Sequence, residues 1–284
     1  MPLLDFDRFS EWKQDSSLPN YSFFPPRSVE LSEFRKAQSP AYLSISRNVP
    51  DSRLPLIQAL SVCSAFNHLP IEFLNEIAQS CVIKSIPDGS EIWHQGDEAH
   101  YFLIILEGLV EMSVVSSGGT DHILGLFGTG DVVGIPAIVA EGPYPASAKA
   151  SNGAVKVLQV YSTRMAPKIT HHSGFQYALK NALVLHDRIL RDKIDVLCAG
   201  RIEQRLALLF FRLARRFGSI HQGSCRIPFH FSRNQISKMV DARLETVIRM
   251  MSRLEKSGLL KRTAEGFVVP CCLKFEELME CDEI

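Results

Sequence analysis

The stretch "SRNQISKMVDARLETVIRMMSRLE", Ser232 to Glu255, decides the fold. Ser232 followed three residues later by Gln235 is a capping box, in which the hydroxyl and the amide each satisfy one orphan backbone N–H. A helix therefore begins at Arg233, with Ile236, Met239 and Val240 facing inward. Asp241-Ala242-Arg243 makes a short turn, and Asp tolerates a left-handed conformation better than most residues. In the helix that follows, Val247, Met250, Met251 and Leu254 form one apolar stripe at about 100° per residue. Glu245 and Arg249 share the other side, with Arg243 and Thr246 close by, and Ser257-Gly258 ends the helix with a glycine cap. "LLKRTAEGFVVP" then gives two short β runs around Glu265-Gly266. Helix, short turn, helix, β-hairpin is the pattern of a winged helix-turn-helix.

Taken alone, Glu245 and Arg249 are a surface pair four residues apart, worth a few tenths of a kcal/mol. Charge distribution asks more of them. The chain carries 31 Lys+Arg and 31 Asp+Glu, yet Arg201 to Pro270 holds 14 basic against 5 acidic residues, a net of +9. Residues 271–284 carry −4, which leaves −5 on residues 1–200. A basic module on a neutral protein is the footprint of nucleic-acid binding. The cysteines, Cys63, Cys81, Cys198, Cys225, Cys271, Cys272 and Cys281, are odd in number and contain no CxxC. With no signal peptide in view, they imply a reducing compartment and a cytoplasmic protein. Apolar runs such as "YFLIIL" fall far short of the ~18–20 residues of a membrane span.

Upstream, residues 1–55 hold seven of the fifteen prolines and no clear period, though Phe6, Phe9, Trp12, Phe23 and Phe24 add apolar weight. They read as a loosely ordered extension that docks by its aromatics or is dispensable. Residues 56–170 open with short helical turns to Gln79. Glycine turns then separate the β-rich runs "CVIKSI", "EIWH", "YFLIIL", "LVEMSVV", "HILGLF" and "AVKVLQV", which indicates a β sandwich or barrel. Residues 171–199 place Leu179, Leu183, His186, Leu190, Ile194 and Leu197 on one narrow stripe, close to a heptad seam with one stutter near Ile194. Such a stripe suits a two-stranded dimer contact; packing on its own β domain is the other reading. Residues 200–284 begin with the amphipathic "RIEQRLALLFFRLARRF", stopped by Gly218, and continue into the winged helix. The fold class is therefore α+β.

In this order the motifs resemble the Crp/Fnr family of bacterial transcription regulators. "EIWHQGDEAHYFLIILEGLVEM" (Glu91 to Met112) and "FGTGDVVG" (Phe127 to Gly134) are similar to its β-roll, a jelly-roll-like sensor domain. "RIEQRLALLFFRLA" and "SRNQISKMVDARLETVIRMMSRLEKSGLL" are similar to its DNA-binding domain. The resemblance runs from about Leu56 to Pro270. It implies a homodimer joined by the long central helix, double-stranded DNA with a roughly palindromic site, RNA polymerase as a partner, and activation. It also aligns Glu245 and Arg249 with the family's base-reading pair. Arg bonds bidentately to guanine O6 and N7 and Glu accepts from cytosine N4, each contact discriminating by about 1–3 kcal/mol. Ser232, Arg233, Arg243 and Thr246 fall where phosphate contacts fix register. Leu244 replaces an Arg of the cyclic-AMP-responsive members, and Ile248 replaces a small residue. The half-site implied is closer to that of the Fnr branch.

The sensor departs from the nucleotide-binding pattern. After Gly134, Ile135 stands at the position of the ribose-binding Glu and Ala146 at that of the phosphate-binding Arg, while Ser147 is kept. A buried phosphate needs a cationic partner that one hydroxyl does not replace; Lys149 on the same strand face as Ser147 is the remaining candidate. Cyclic AMP is thus not expected. Nor is an N-terminal iron–sulfur cluster, because residues 1–62 lack cysteine. Haem stays open through His68, His94, His100 and His122, and His186 on the seam would bring two imidazoles together in a dimer. Cys63, Cys81 and Cys198 are candidate oxidation sensors. No nucleophile–base set, metal-ligand cluster or phosphate loop suggests catalysis. A regulatory subunit of the cyclic-nucleotide-binding type that docks protein instead of DNA is the alternative from another class, and a haem-carrying gas sensor is a variant of the regulator.

Overall fold

A computed structural model describes residues 54–63, 65–67, 69–162, 173–221 and 224–270. The extension up to residue 53, His68 and the acidic stretch 271–284 lie outside the described residues.

Two helices, α1 (Leu54–Val62) and α2 (Ile71–Ala78), lead into a six-stranded antiparallel sheet. Its strands are β1 (Cys81–Ile86), β2 (Glu91–Trp93), β3 (Tyr101–Val115), β4 (Asp121–Phe127), β5 (Val132–Val133) and β6 (Ser147–Tyr161), with the short helix α3 (Ile135–Val139) between the last two. The pairing order is β1-β6-β3-β4, with β2 on β6 and β5 on β3. The runs "YFLIIL" and "LVEMSVV", separate in sequence, are one 15-residue strand. Gly108 joins them at φ +94°, and the pairing with β6 shifts register on either side of Glu107. A Cβ there would sit 3.0 Å from the Ala154 carbonyl oxygen, so glycine is required. "AVKVLQV" is the second half of β6. The first half, "SAKASNG", has low strand propensity and is held by burial of Ala148 and Ala150.

The central helix α4 (Ser173–Cys198) runs for 26 residues beside this sheet. Phe175, Ala178, Leu179, Ala182, His186, Ile189 and Val196 are buried along one side. Phe175 enters a ring cluster with Phe66 and Phe73, and a Cβ on Gly125 of β4 would run into Ile189 Cγ2. The expected seam is therefore divided. Leu179 and His186 turn onto their own β-roll, where His186 donates Nε2–H to the Val132 carbonyl at 2.8 Å and its ring lies 4.7 Å from Phe127. Burial lowers the imidazole pKa. Leu183 is partly buried against the same core. Leu190 and Ile194 stay exposed, at 44% and 57%, together with Tyr177 and Val184, while Leu197 is half-buried. The stripe thus straddles the buried side of α4 and its exposed side.

The C-terminal domain comprises α5 (Ile202–Phe217), α6 (Arg233–Val240) and α7 (Leu244–Lys256) around Phe210, Ile236, Val240, Val247 and Met251, all buried. A four-stranded sheet closes it, with Ser219–His221, Ser224–Ile227, Gly266–Val269 and Lys261–Thr263 paired in that order. The wing is β9 (Lys261–Thr263) with β10 (Gly266–Val269). At Gly266, φ +137°, a Cβ would run into the Ile227 carbonyl oxygen. Strands β7 (Ser219–His221) and β8 (Ser224–Ile227) have no counterpart in the sequence reading, because "SIH" and "SCRI" are too short to show a period.

Candidate nucleic-acid interface

The capping box forms as read. Ser232 Oγ accepts from Gln235 N–H at 3.1 Å and the Ser232 N–H donates to Gln235 Oε1 at 3.0 Å. Asp241 ends α6 at φ +50°, ψ +61°, left-handed as the short turn requires. Arg243 then takes the N-cap place of α7 with no side-chain cap. The Asp241 carboxylate turns elsewhere: its Oδ1 lies 3.2 Å from His122 Nδ1 on the β-roll.

One side of α7 is locked by Val247, Met250, Met251 and Leu254. The other presents Leu244, Glu245, Ile248 and Arg249 to solvent, with Leu244 39% and Ile248 45% exposed. The side chains of Glu245 and Arg249 make no hydrogen bond or ion pair with any described residue, each other included; the same holds for the side chains of exposed Arg243 and half-buried Thr246. Two neighbouring arginines are engaged. Arg233 pairs with Glu255 at 2.6 Å and Arg253 with Glu203 at 2.7 Å. Arg233 therefore enters any phosphate contact from an existing pair, and the Ser232 hydroxyl already serves the cap. Sequence reasoning passed over Lys261 and Arg262, which stand exposed on the wing; the signal for them was the local basic excess.

The winged helix-turn-helix domain is tied to the β-roll. Gln235 Nε2 donates to Glu111 Oε2 at 2.9 Å and to Ser151 Oγ at 3.3 Å. Lys238 Nζ pairs with Asp121 at 2.6 Å and Arg216 with Asp131 at 2.5 Å. From α4, Lys193 Nζ donates to the carbonyls of Lys238 and Met239 at the end of α6. Glu111 is buried at 8% exposure and burial raises its pKa, countered by the Gln235 hydrogen bond and by Lys149 and Lys238.

Inside the β-roll the residues expected near a ligand are parted. Gly134 (φ +90°) and buried Ala146 adjoin a stack in which the Trp93 and Tyr144 rings lie 4.2 Å apart, whereas Ile135 is buried in the other core, with Phe102 and Phe175. Tyr144 donates its hydroxyl to the Tyr101 carbonyl at 2.5 Å, and Trp93 Nε1 donates to the Ala146 carbonyl at 2.9 Å. A Cβ on Gly134 would lie 3.3 Å from both rings. Ser147 and Lys149 alternate to the other face of β6, where Ser147 Oγ accepts from Gln95 N–H and Lys149 faces Glu111 across the sheet. The histidines are dispersed: His94 is exposed, His100 lies 3.4 Å from Glu98, and His122 is on Asp241. Cys63 and Cys81 are buried, with thiols pushed up to about 12, which corrects their reading as oxidation sensors, because a redox-active thiol needs thiolate character and access. Cys198 is exposed. No helix among the described residues is long and apolar enough to cross a membrane.

Comparison with known proteins agrees with this geometry. Residues 83–169 match the cyclic nucleotide-binding domain and residues 204–276 the Crp-like helix-turn-helix domain. The chain is 26% identical over 179 residues to the fumarate and nitrate reduction regulatory protein of Escherichia coli (strain K12), covering 62% of this chain and 70% of that one. It is 25% identical over 195 residues to electron transport regulator A of Shewanella oneidensis, covering 66% and 74%. Among solved structures, FixK2 from Bradyrhizobium japonicum superposes with a TM-score of 0.59 at 23% identity, over 70% of this chain and 96% of that one. The c-di-GMP-responsive global regulator CLP of Xanthomonas campestris gives 0.59 at 16% identity, over 70% and 98%. With a β-roll, a long helix and a winged helix-turn-helix in family order, the chain belongs to the Crp/Fnr family of DNA-binding transcription regulators.

Proposed function

We propose that the protein acts in the cytoplasm as a homodimer that reads a roughly palindromic DNA site and activates transcription with RNA polymerase, and that its sensor no longer takes cyclic AMP. The observation that carries the reading is α7: an apolar face locked into the core and an outward carboxylate and guanidinium, one turn apart, with no partner of their own. An unpaired Arg on the solvent side of such a helix is free for guanine, and Glu245 for the cytosine amine. The exposed Val184, Leu190 and Ile194 on α4 support pairing with a second copy, because large apolar side chains are costly to leave in water. Filling of the β-roll by Trp93 and Tyr144, with Ala146 in place of a cation, supports loss of the nucleotide. Lys193 grips the end of α6 from α4, so a change in α4 geometry moves the reading domain with it.

Selection of bound fragments from random duplexes tests this. An inverted repeat with a G·C pair in each half-site, its halves about one or two DNA turns apart, is the expected result. Recovery of fragments with no shared symmetric motif would reject the reading.

A further inference from the structure

The β-roll interior is filled, but a half-open crevice lies elsewhere, where β4, α4, α5 and α6 meet; its empty space of about 530 Å³ includes the open solvent at its mouth. Its walls are largely apolar, with Leu124, Ile189, Val196 and Leu209 among them. Two of its lining residues, Lys193 and Arg212, carry donors that the protein leaves unmet. Lys193 Nζ has three N–H groups and donates two, to the Lys238 and Met239 carbonyls. Among the described residues no carboxylate lies within ion-pair distance of it: Asp192 and Asp195 are taken by Arg212, Asp131 by Arg216, and Asp241 by His122. A half-buried ammonium without a counter-ion is costly. Burial accordingly pushes Lys193 down to about 8, with Asp241 pulling the other way. Arg212 places its two terminal nitrogens on Asp192 and Asp195, yet its Nε is buried with no partner among the described residues.

An occupant must therefore bring an apolar body, two acceptor atoms and one negative charge. We propose that this crevice binds a small organic carboxylate with a hydrocarbon or aromatic body, its head group held by Lys193 Nζ and Arg212 Nε. A nucleotide does not fit the description, because its polar surface would be set against leucine, isoleucine and valine. Met239 also lines the crevice, and its carbonyl is the one Lys193 holds. A bound carboxylate thus touches sensor, central helix and reading domain at once. Its binding and that of DNA are coupled, each changing the other by the same factor. The site itself does not depend on the base-reading assignment, since occupancy is measured without DNA.

Isothermal titration calorimetry of the full chain with decanoate and with 4-phenylbutyrate, both below micellar concentration, tests the site. At least one should bind saturably, one molecule per chain. Lys193→Met should weaken that binding at least tenfold, Val196→Trp should abolish it by filling the crevice, and Lys193→Arg should restore most of the affinity. Decanol and 4-phenylbutanol, which lack the charge, should bind at least tenfold more weakly to the unaltered protein; this comparison stands even if a substitution prevents folding. Absence of saturable binding by both acids overturns the proposal. So does binding that Lys193→Met and Val196→Trp leave unchanged, or that the alcohols match.

Discussion

Gln235 is used twice, and the two uses can be separated energetically. Its Oε1 completes the capping box with Ser232, while its Nε2 reaches across to Glu111 on β3. Gln235→Ala removes both. The cap arm serves an exposed backbone N–H that water can take over, so its loss costs a few tenths of a kcal/mol. The other arm leaves a buried carboxylate short of a donor, at about 1–3 kcal/mol. A total of about 1.5–3.5 kcal/mol follows, against about 1 kcal/mol for Ser232→Ala, which removes only a cap. In a double-mutant cycle with Glu111→Ala, read from urea unfolding at pH 7, Gln235→Ala should show a coupling of about 1–2 kcal/mol and Ser232→Ala none. A Gln235–Glu111 coupling indistinguishable from zero would mean that the reading domain does not rest on the β-roll through this contact, and the link from sensor to α6 would have to be sought elsewhere.

Three further outcomes are expected. Because burial raises the Glu111 pKa, the folded chain favours its protonated form; the stability this confers is complete at acid pH and is lost as pH rises through the raised value. Urea midpoints of the unaltered chain should therefore fall relative to Glu111→Gln on going from pH 4 to pH 7. Tyr144→Ala empties a fully buried ring site stacked on Trp93 and should cost about 3–5 kcal/mol in thermal or urea unfolding, without creating cyclic AMP affinity in calorimetry. Ile194→Lys, which places a charge on the exposed stripe of α4, should shift sedimentation from dimer to monomer while the folded monomer persists.

The reading domain was legible in the sequence because its signals are local. Ser232 and Gln235 are three residues apart, Asp241 marks the turn, and Val247 to Leu254 repeat at helical spacing; each rule agrees with the fold around it. What was not legible depends on convergence from afar. Trp93 and Tyr144 are separated by 51 positions and Glu111 and Gln235 by 124, and nothing in either neighbourhood announces the meeting. Gly108 read as a turn because glycine punctuates loops, whereas here it lets one strand bend against β6. The stripe on α4 was misplaced for a different reason. Periodicity reports that Leu179, His186, Leu190 and Ile194 share a stripe without saying which of them the β-roll buries and which stay exposed. Fold class was thus readable, while contacts between domains required coordinates.

The decisive measurement is the ratio of affinities for a selected site and a random duplex, compared between the unaltered protein and Arg249→Ala at fixed salt. Loss of one bidentate guanine contact in each half-site predicts that the ratio falls by roughly 2–6 kcal/mol, while weak, salt-sensitive binding to both duplexes persists. An Arg249→Ala protein that kept the full ratio would contradict base readout by α7.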